Sequence, residues 1–146
     1  MKPGPVDLGD AVEAPEILRC VIGVRLAEAG ALAPALGSGG TTELHQFRIA
    51  AKRLRYAFER LAAVDPLFEA TATHLSHLQD ALGETRDCDL LLSALPPTMP
   101  KTRAALLEHR LENALHAKRL WNDVLVLLGE TFRFTNRGTD AAPHAN

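Results

Sequence analysis

Apolar residues recur along this chain at the spacing of one helix face, and prolines and glycines cut the pattern into four segments. A first helix is predicted from about Pro15 to Leu36, with Leu18, Ile22, Ala29, Leu32 and Leu36 on a stripe that Arg25 interrupts. "GSGGTT" then breaks the chain. Thr41 or Thr42 can cap the next helix, and Glu43 favours its positive end. That second helix is predicted over about 43–64, where "VDP" offers Asp65 as N-cap and Pro66 as the first residue of a third. The third places Phe68, Ala72, Leu75, Leu78 and Leu82 at helical spacing, kinks or breaks at Gly83, and ends at "PPTMP". A fourth, about 101–129, aligns Leu107, Leu111, Ala114, Trp121, Leu125 and Leu128 and stops at Gly129. The expectation is an all-α, antiparallel four-helix bundle over residues 13–130, with a disordered leader at 1–12 and a flexible tail at 131–146.

Composition agrees with helix packing: 146 residues, 47% hydrophobic and 5% aromatic, suit one domain with a core of Leu, Ala and Val. Cys20 and Cys88 stand far apart without paired spacing, which predicts reduced thiols rather than a disulfide. "MKPGPVDLGD" has prolines and acids where a secretory h-region would stand, and clean apolar runs such as "VLVLL" fall far short of a membrane span. A soluble, cytoplasmic protein is expected. The formal net charge of -2 gives no general attraction to polyanions, so any such affinity must be local.

The local charge lies in "HQFRIAAKRLRYAFER", residues 45–60. Five of the sixteen Lys and Arg residues gather there against one acid, Glu59. On a helical wheel Leu44, Phe47, Ala51, Leu54, Phe58 and Leu61 share an arc of about 100° and face the core. His45, Arg48, Lys52 and Arg55 fall on the neighbouring arc, bounded on its far side by Ile49 and Tyr56. These four donors extend over roughly 15 Å at 1.5 Å per residue. A compact anion needs two or three converging donors, whereas a line of donors suits a line of charge. Each guanidinium can take a phosphate bidentately, Lys52 acts as a mobile point charge, and a protonated His45 donates from either ring nitrogen. The competing reading is a solubilising face whose alkyl stems cover neighbouring helices.

Other candidates carry less. Arg53 and Arg60 lie off the stripe and read as surface residues, with Arg53 a further anion contact if the site widens. Arg86 can reach a phosphate or brace a helix, while Asp87 reads as a cap or an internal partner. Lys118 falls on the predicted apolar stripe of the fourth helix and Arg25 on that of the first; each must reach water, an acid or an anion. His74, His77 and Asp80 share a helix face, yet neither a Cys pair nor HExxH accompanies them, so no metal is expected. No Gly-rich phosphate loop, GxSxG or evident carboxylate pair is present, and Cys88 lies between two acids that oppose thiolate formation. The chain is therefore expected to be non-catalytic and free of cofactors.

"LHQFRIAAKRLRYAFE" followed by "LSHLQDALGETRDCDLLLSAL" resembles the conserved histidine α-helical domain, the CHAD family. His45, Arg48, Lys52, Arg53, Arg55, Tyr56, Gly83, Arg86 and Asp87 fill the family's recurring positions, over residues 44 to about 95. The resemblance implies a helical module that binds inorganic polyphosphate on a basic surface and associates with polyphosphate granules. It places the ligands at His45, Arg48, Lys52 and Arg55. The family builds its domain from two four-helix repeats, whereas this chain has room for one, most similar to the second. Two copies then associate as a homodimer, or the groove is half-sized. Two other functions use the same residues: an RNA-binding module, against which few aromatic residues are placed for base stacking, and a protein-interaction module with an acidic partner.

Overall fold

The computed structural model describes residues 2–9, 13–38 and 40–140, and no strand occurs among them. The elements in chain order are α1 (Ala14–Leu32), α2 (Ala35–Ser38), α3 (Thr41–Val64), a 3-10 turn (Pro66–Phe68), α4 (Glu69–Ala94) and α5 (Pro100–Asp140). Helix α3 is central, with α1 on one side and α4 on the other, and α5 lies along α4. The bundle is the all-α arrangement that the periodicity predicts.

The apolar arc of α3 is buried as expected. Phe47, Leu54 and Phe58 are fully enclosed and Leu44, Ala51 and Leu61 nearly so. Phe47 meets Trp121 of α5 edge to face, ring centroids 5.3 Å apart at 88°, so one aromatic pair ties the α3 and α5 layers. Asp65 closes α3 through its own N–H to the Leu61 carbonyl, and its carboxylate accepts from the Leu67 N–H to start the 3-10 turn.

Several boundaries differ from the sequence expectation. The first helix ends at Leu32, because Pro34 cannot donate the next helical hydrogen bond, and α2 follows as a separate turn. Neither threonine caps α3: Gly40 is the N-cap, without a side-chain bond, and Thr41 and Thr42 lie inside the first turn. Gly at this position costs only a few tenths of a kcal/mol relative to a capping side chain. Helix α4 passes through Gly83 unbroken, with Leu82 and Thr85 buried on either side. Likewise α5 passes Gly129, its predicted stop, since Leu128 and Thr131 pack across it, and it continues to Asp140. Residues 1 and 10–12 of the predicted leader and 141–146 of the predicted tail lie outside the described residues.

The apolar stripe of α5 is phased differently from its prediction. Ala117, Leu120, Trp121, Val124 and Leu128 are buried, while Leu107, Leu111 and Leu125 are about half exposed. Leucines lie on two adjacent faces of this helix, and the small Ala117 gives the true core face little hydrophobic weight. Apolar spacing alone therefore chose the wrong phase. The stretch Glu16–Gly37 is, by length and composition, apolar enough to cross a membrane, which the short clean runs did not suggest. In this fold it packs on α3 and holds an Arg25–Glu28 ion pair.

Candidate functional site

With its core arc buried, α3 turns its remaining face outward. His45, Arg48 and Arg55 are half-buried and Lys52 is exposed. The N-terminal end of this face meets the C-terminal part of α4, because the two helices run antiparallel. Thr41, His45 and Arg48 there line a cleft with Thr85, Arg86 and Asp89. The Arg86 guanidinium donates to His45 Nδ1 at 3.0 Å, a contact across 41 residues of sequence. Arg48 Nε is buried without a hydrogen-bond partner in the protein. Three donor side chains thus converge at this end of the stripe.

The one acid among the described residues lining the cleft, Asp89, is held by Arg110 of α5, whose guanidinium donates to both carboxylate oxygens. A carboxylate already satisfied by a forked donor competes weakly for other cations. The cleft therefore keeps net positive character although an acid stands in it.

The other end of the stripe is partly neutralised. Arg55 Nε lies 3.6 Å from Glu59, one helical turn on, as an ion pair. Two cationic groups also flank the exposed Tyr56 ring, Arg55 at 4.9 Å and Lys52 at 5.7 Å from its centroid. Tyr56 thus shelves the cations of the stripe. The line of donors is strongest at His45–Arg48–Arg86, continues through Lys52, and meets an acid beyond Arg55.

The remaining candidates lie elsewhere. Arg25 donates to Glu28 at 2.7 Å and to the Gly4 carbonyl at 3.3 Å. The Gly4 N–H in turn donates to Glu28, and a Cβ at Gly4 would meet Glu28 Oε1 at 2.6 Å, a crowding that the carboxylate can relieve by shifting. With Arg53, Tyr56 and Arg60, Arg25 lines a separate groove between α1 and α3. Lys118 is exposed, since the true core stripe of α5 bypasses it, and its ammonium lies near Gly37 of α2 in another groove. His74 and His77 sit with ring centroids 6.4 Å apart, and His74 Nδ1 is bonded to the Ala70 carbonyl within its own helix. Asp87 is exposed; the internal partner is Asp89.

Cys88 is buried, and its thiol pKa is raised above the ordinary 9.0. Burial is the main cause, followed by the negative charges of Glu84, Asp89 and Asp87, with Arg110 opposing them. The thiol form is favoured, as the flanking acids suggested.

Sequence reasoning missed Asp89 and Arg110. Their pairing joins residues 21 apart on two helices, and no spacing rule within one helix reports it. The Arg86–His45 contact is of the same kind: both residues were singled out, but only the packing of α4 on α3 joins them.

No curated protein and no solved structure matches this chain. A family model of the CHAD domain matches residues 7–96, from the leader through α4, and so contains the whole α3–α4 cleft. The match spans more than half of the chain, and with the helical fold and the basic face of α3 it identifies this protein as a member of the CHAD domain family.

Proposed function

We propose that this chain binds inorganic polyphosphate along the outward face of α3, as a non-catalytic module acting in the cytoplasm at polyphosphate granules. One observation carries the reading. His45, Arg48 and Arg86 converge where the nearest acid is occupied by Arg110, and Lys52 extends the line of donors. A flexible chain of phosphates presents acceptors at every unit, so donors spread along a helix can be engaged in succession. Membership of the CHAD family supports the same ligand class. RNA offers the same phosphates, but its bases would find Tyr56 as the aromatic ring on this face, and that ring is occupied by cations.

The test is a titration with long-chain polyphosphate at several salt concentrations, with sedimentation of the same samples. Engagement of three to five phosphates gives a log–log salt slope of about -2 to -3.5, by analogy with single-stranded nucleic acid. The Arg48→Ala/Lys52→Ala double variant should bind more weakly and flatten the slope by about 1.4. Unchanged titrations in that variant would end the assignment. RNA displacing bound polyphosphate at equal phosphate concentration would favour the RNA reading. A dimer that persists without anion and ignores polyphosphate would favour a protein-interaction module.

A further inference from the structure

The hydrogen bond between Arg86 and His45 constrains where the histidine keeps its proton. A guanidinium has five N–H donors and no acceptor. At 3.0 Å from Arg86, His45 Nδ1 must therefore supply the lone pair, which leaves the ring proton on Nε2 and the imidazole neutral. Protonating Nδ1 would turn this contact into N–H against N–H between two cations. The charged groups that line the cleft with the ring are Arg48 on its own helix and Arg86 and Asp89 on α4, of which Arg86 touches it, with Arg110 of α5 satisfying Asp89. Among the described residues, none from α1 or α2 lines this cleft.

An arriving phosphate changes the balance at the same atoms. Its oxygens accept hydrogen bonds, so Arg86 can turn its donors from His45 to the anion. Nδ1 is then released to take a proton from solvent and donate it as a second charged hydrogen bond to the ligand. We infer that anion binding at this cleft is coupled to proton uptake by His45, with Arg86 as the positioning residue that holds the unliganded ring neutral. This inference rests on the polyphosphate reading and adds a regulation to it. The bound state carries more protons than the free state, so affinity rises as pH falls, by at most about tenfold per pH unit for one proton. Histidine is the side chain suited to such a change between pH 5 and 8.

Long-chain polyphosphate is the appropriate probe, because its internal phosphates are fully ionised across that range and contribute no proton of their own. Calorimetry in two buffers of different ionisation heat, at pH 8, 7 and 6, should show uptake that averages about half a proton over this range, with about tenfold tighter binding at pH 6 than at pH 8. His45→Gln should bind more weakly, with no uptake and a flat pH profile. Arg86→Leu, which frees Nδ1 before the ligand arrives, should take up less proton than wild type at pH 6. Nitrogen NMR of the unliganded protein near pH 7.5 should show His45 as the neutral Nε2–H tautomer. Tight wild-type binding without proton uptake, or a pH slope that survives His45→Gln, overturns the inference and leaves the polyphosphate reading standing. A cationic or Nδ1–H ring in the free protein also overturns it. Failure to bind at any pH in low salt removes both.

Discussion

Towards α1, helix α3 presents Arg53 and Arg60 beside Arg25; towards α4, it presents His45 and Arg48 beside Arg86. Residue type hardly differs between these flanks, but what surrounds the cations does. On the α1 side Arg25 is satisfied by Glu28 and the Gly4 carbonyl, and Pro3 of the leader lines the same groove. On the α4 side Asp89 is taken up by Arg110, and Arg48 and Arg86 line the cleft without an acid of their own in it. The difference is where the acid's partner stands: Glu28 is taken by Arg25, which lines the groove itself, whereas Asp89 is taken by Arg110, which does not line the cleft. Counting bases along α3 cannot separate the flanks, because the acids that decide the matter come from α1 and α4.

The largest effect should follow from breaking the ridge beneath both flanks. Phe47→Ala removes a fully buried ring and its edge-to-face contact with Trp121. A loss of about 3–5 kcal/mol is expected in urea unfolding, and it should impair both flanks alike. Loss of less than about 1 kcal/mol would show that α3 is not anchored through this pair.

Charge reversal sharpens the contrast between the flanks. Arg48→Glu should weaken polyphosphate binding by about 100-fold at low salt, because it deletes a charged donor and adds a repelling carboxylate. Arg60→Glu, on the exposed α1 flank, should change affinity by no more than about threefold. Equal losses would mean that binding reads the whole basic face of α3 and that the cleft has no special part.

The smallest effect concerns Cys88, which senses the acids at the α4 end. Its folded pKa is raised, so its contribution to stability is full below the ordinary thiol value of 9.0 and is lost as pH rises through the folded value. Urea unfolding at pH 8 and pH 10 should therefore show a slightly smaller alkaline loss in Cys88→Ala than in wild type. An identical loss in both would mean that neither burial nor the charges of Glu84, Asp89 and Asp87 raise this thiol above its unfolded value.

Legibility in the sequence followed the range of each interaction. The arc of α3 was readable because Leu44, Phe47, Leu54 and Phe58 are large, apolar and regularly spaced, and each sits where its period places it. The core face of α5 was misread because leucines populate two neighbouring faces, and which one is covered depends on where α3 and α4 lie. Gly83 and Gly129 were read as breaks because glycine weakens a helix by about 1 kcal/mol relative to Ala. Packing on both sides of each one outweighs that local preference. Glu59 was visible as the lone acid of the basic segment, yet its pairing with Arg55 came from the observed rotamers.

The sequence by itself determined that this chain is helical, that α3 buries one arc and exposes a basic one, and that it belongs with CHAD domains. Those properties arise from side-chain periodicity and local residue order, which need no partner to be read. Only the tertiary structure decided that Arg86 meets His45, that Arg110 neutralises Asp89, and that Arg25 serves the leader. Each of these is an electrostatic contact of a few ångströms between residues 21 to 41 positions apart. Energies of that kind depend steeply on distance and surroundings, so they exist only once the helices have packed.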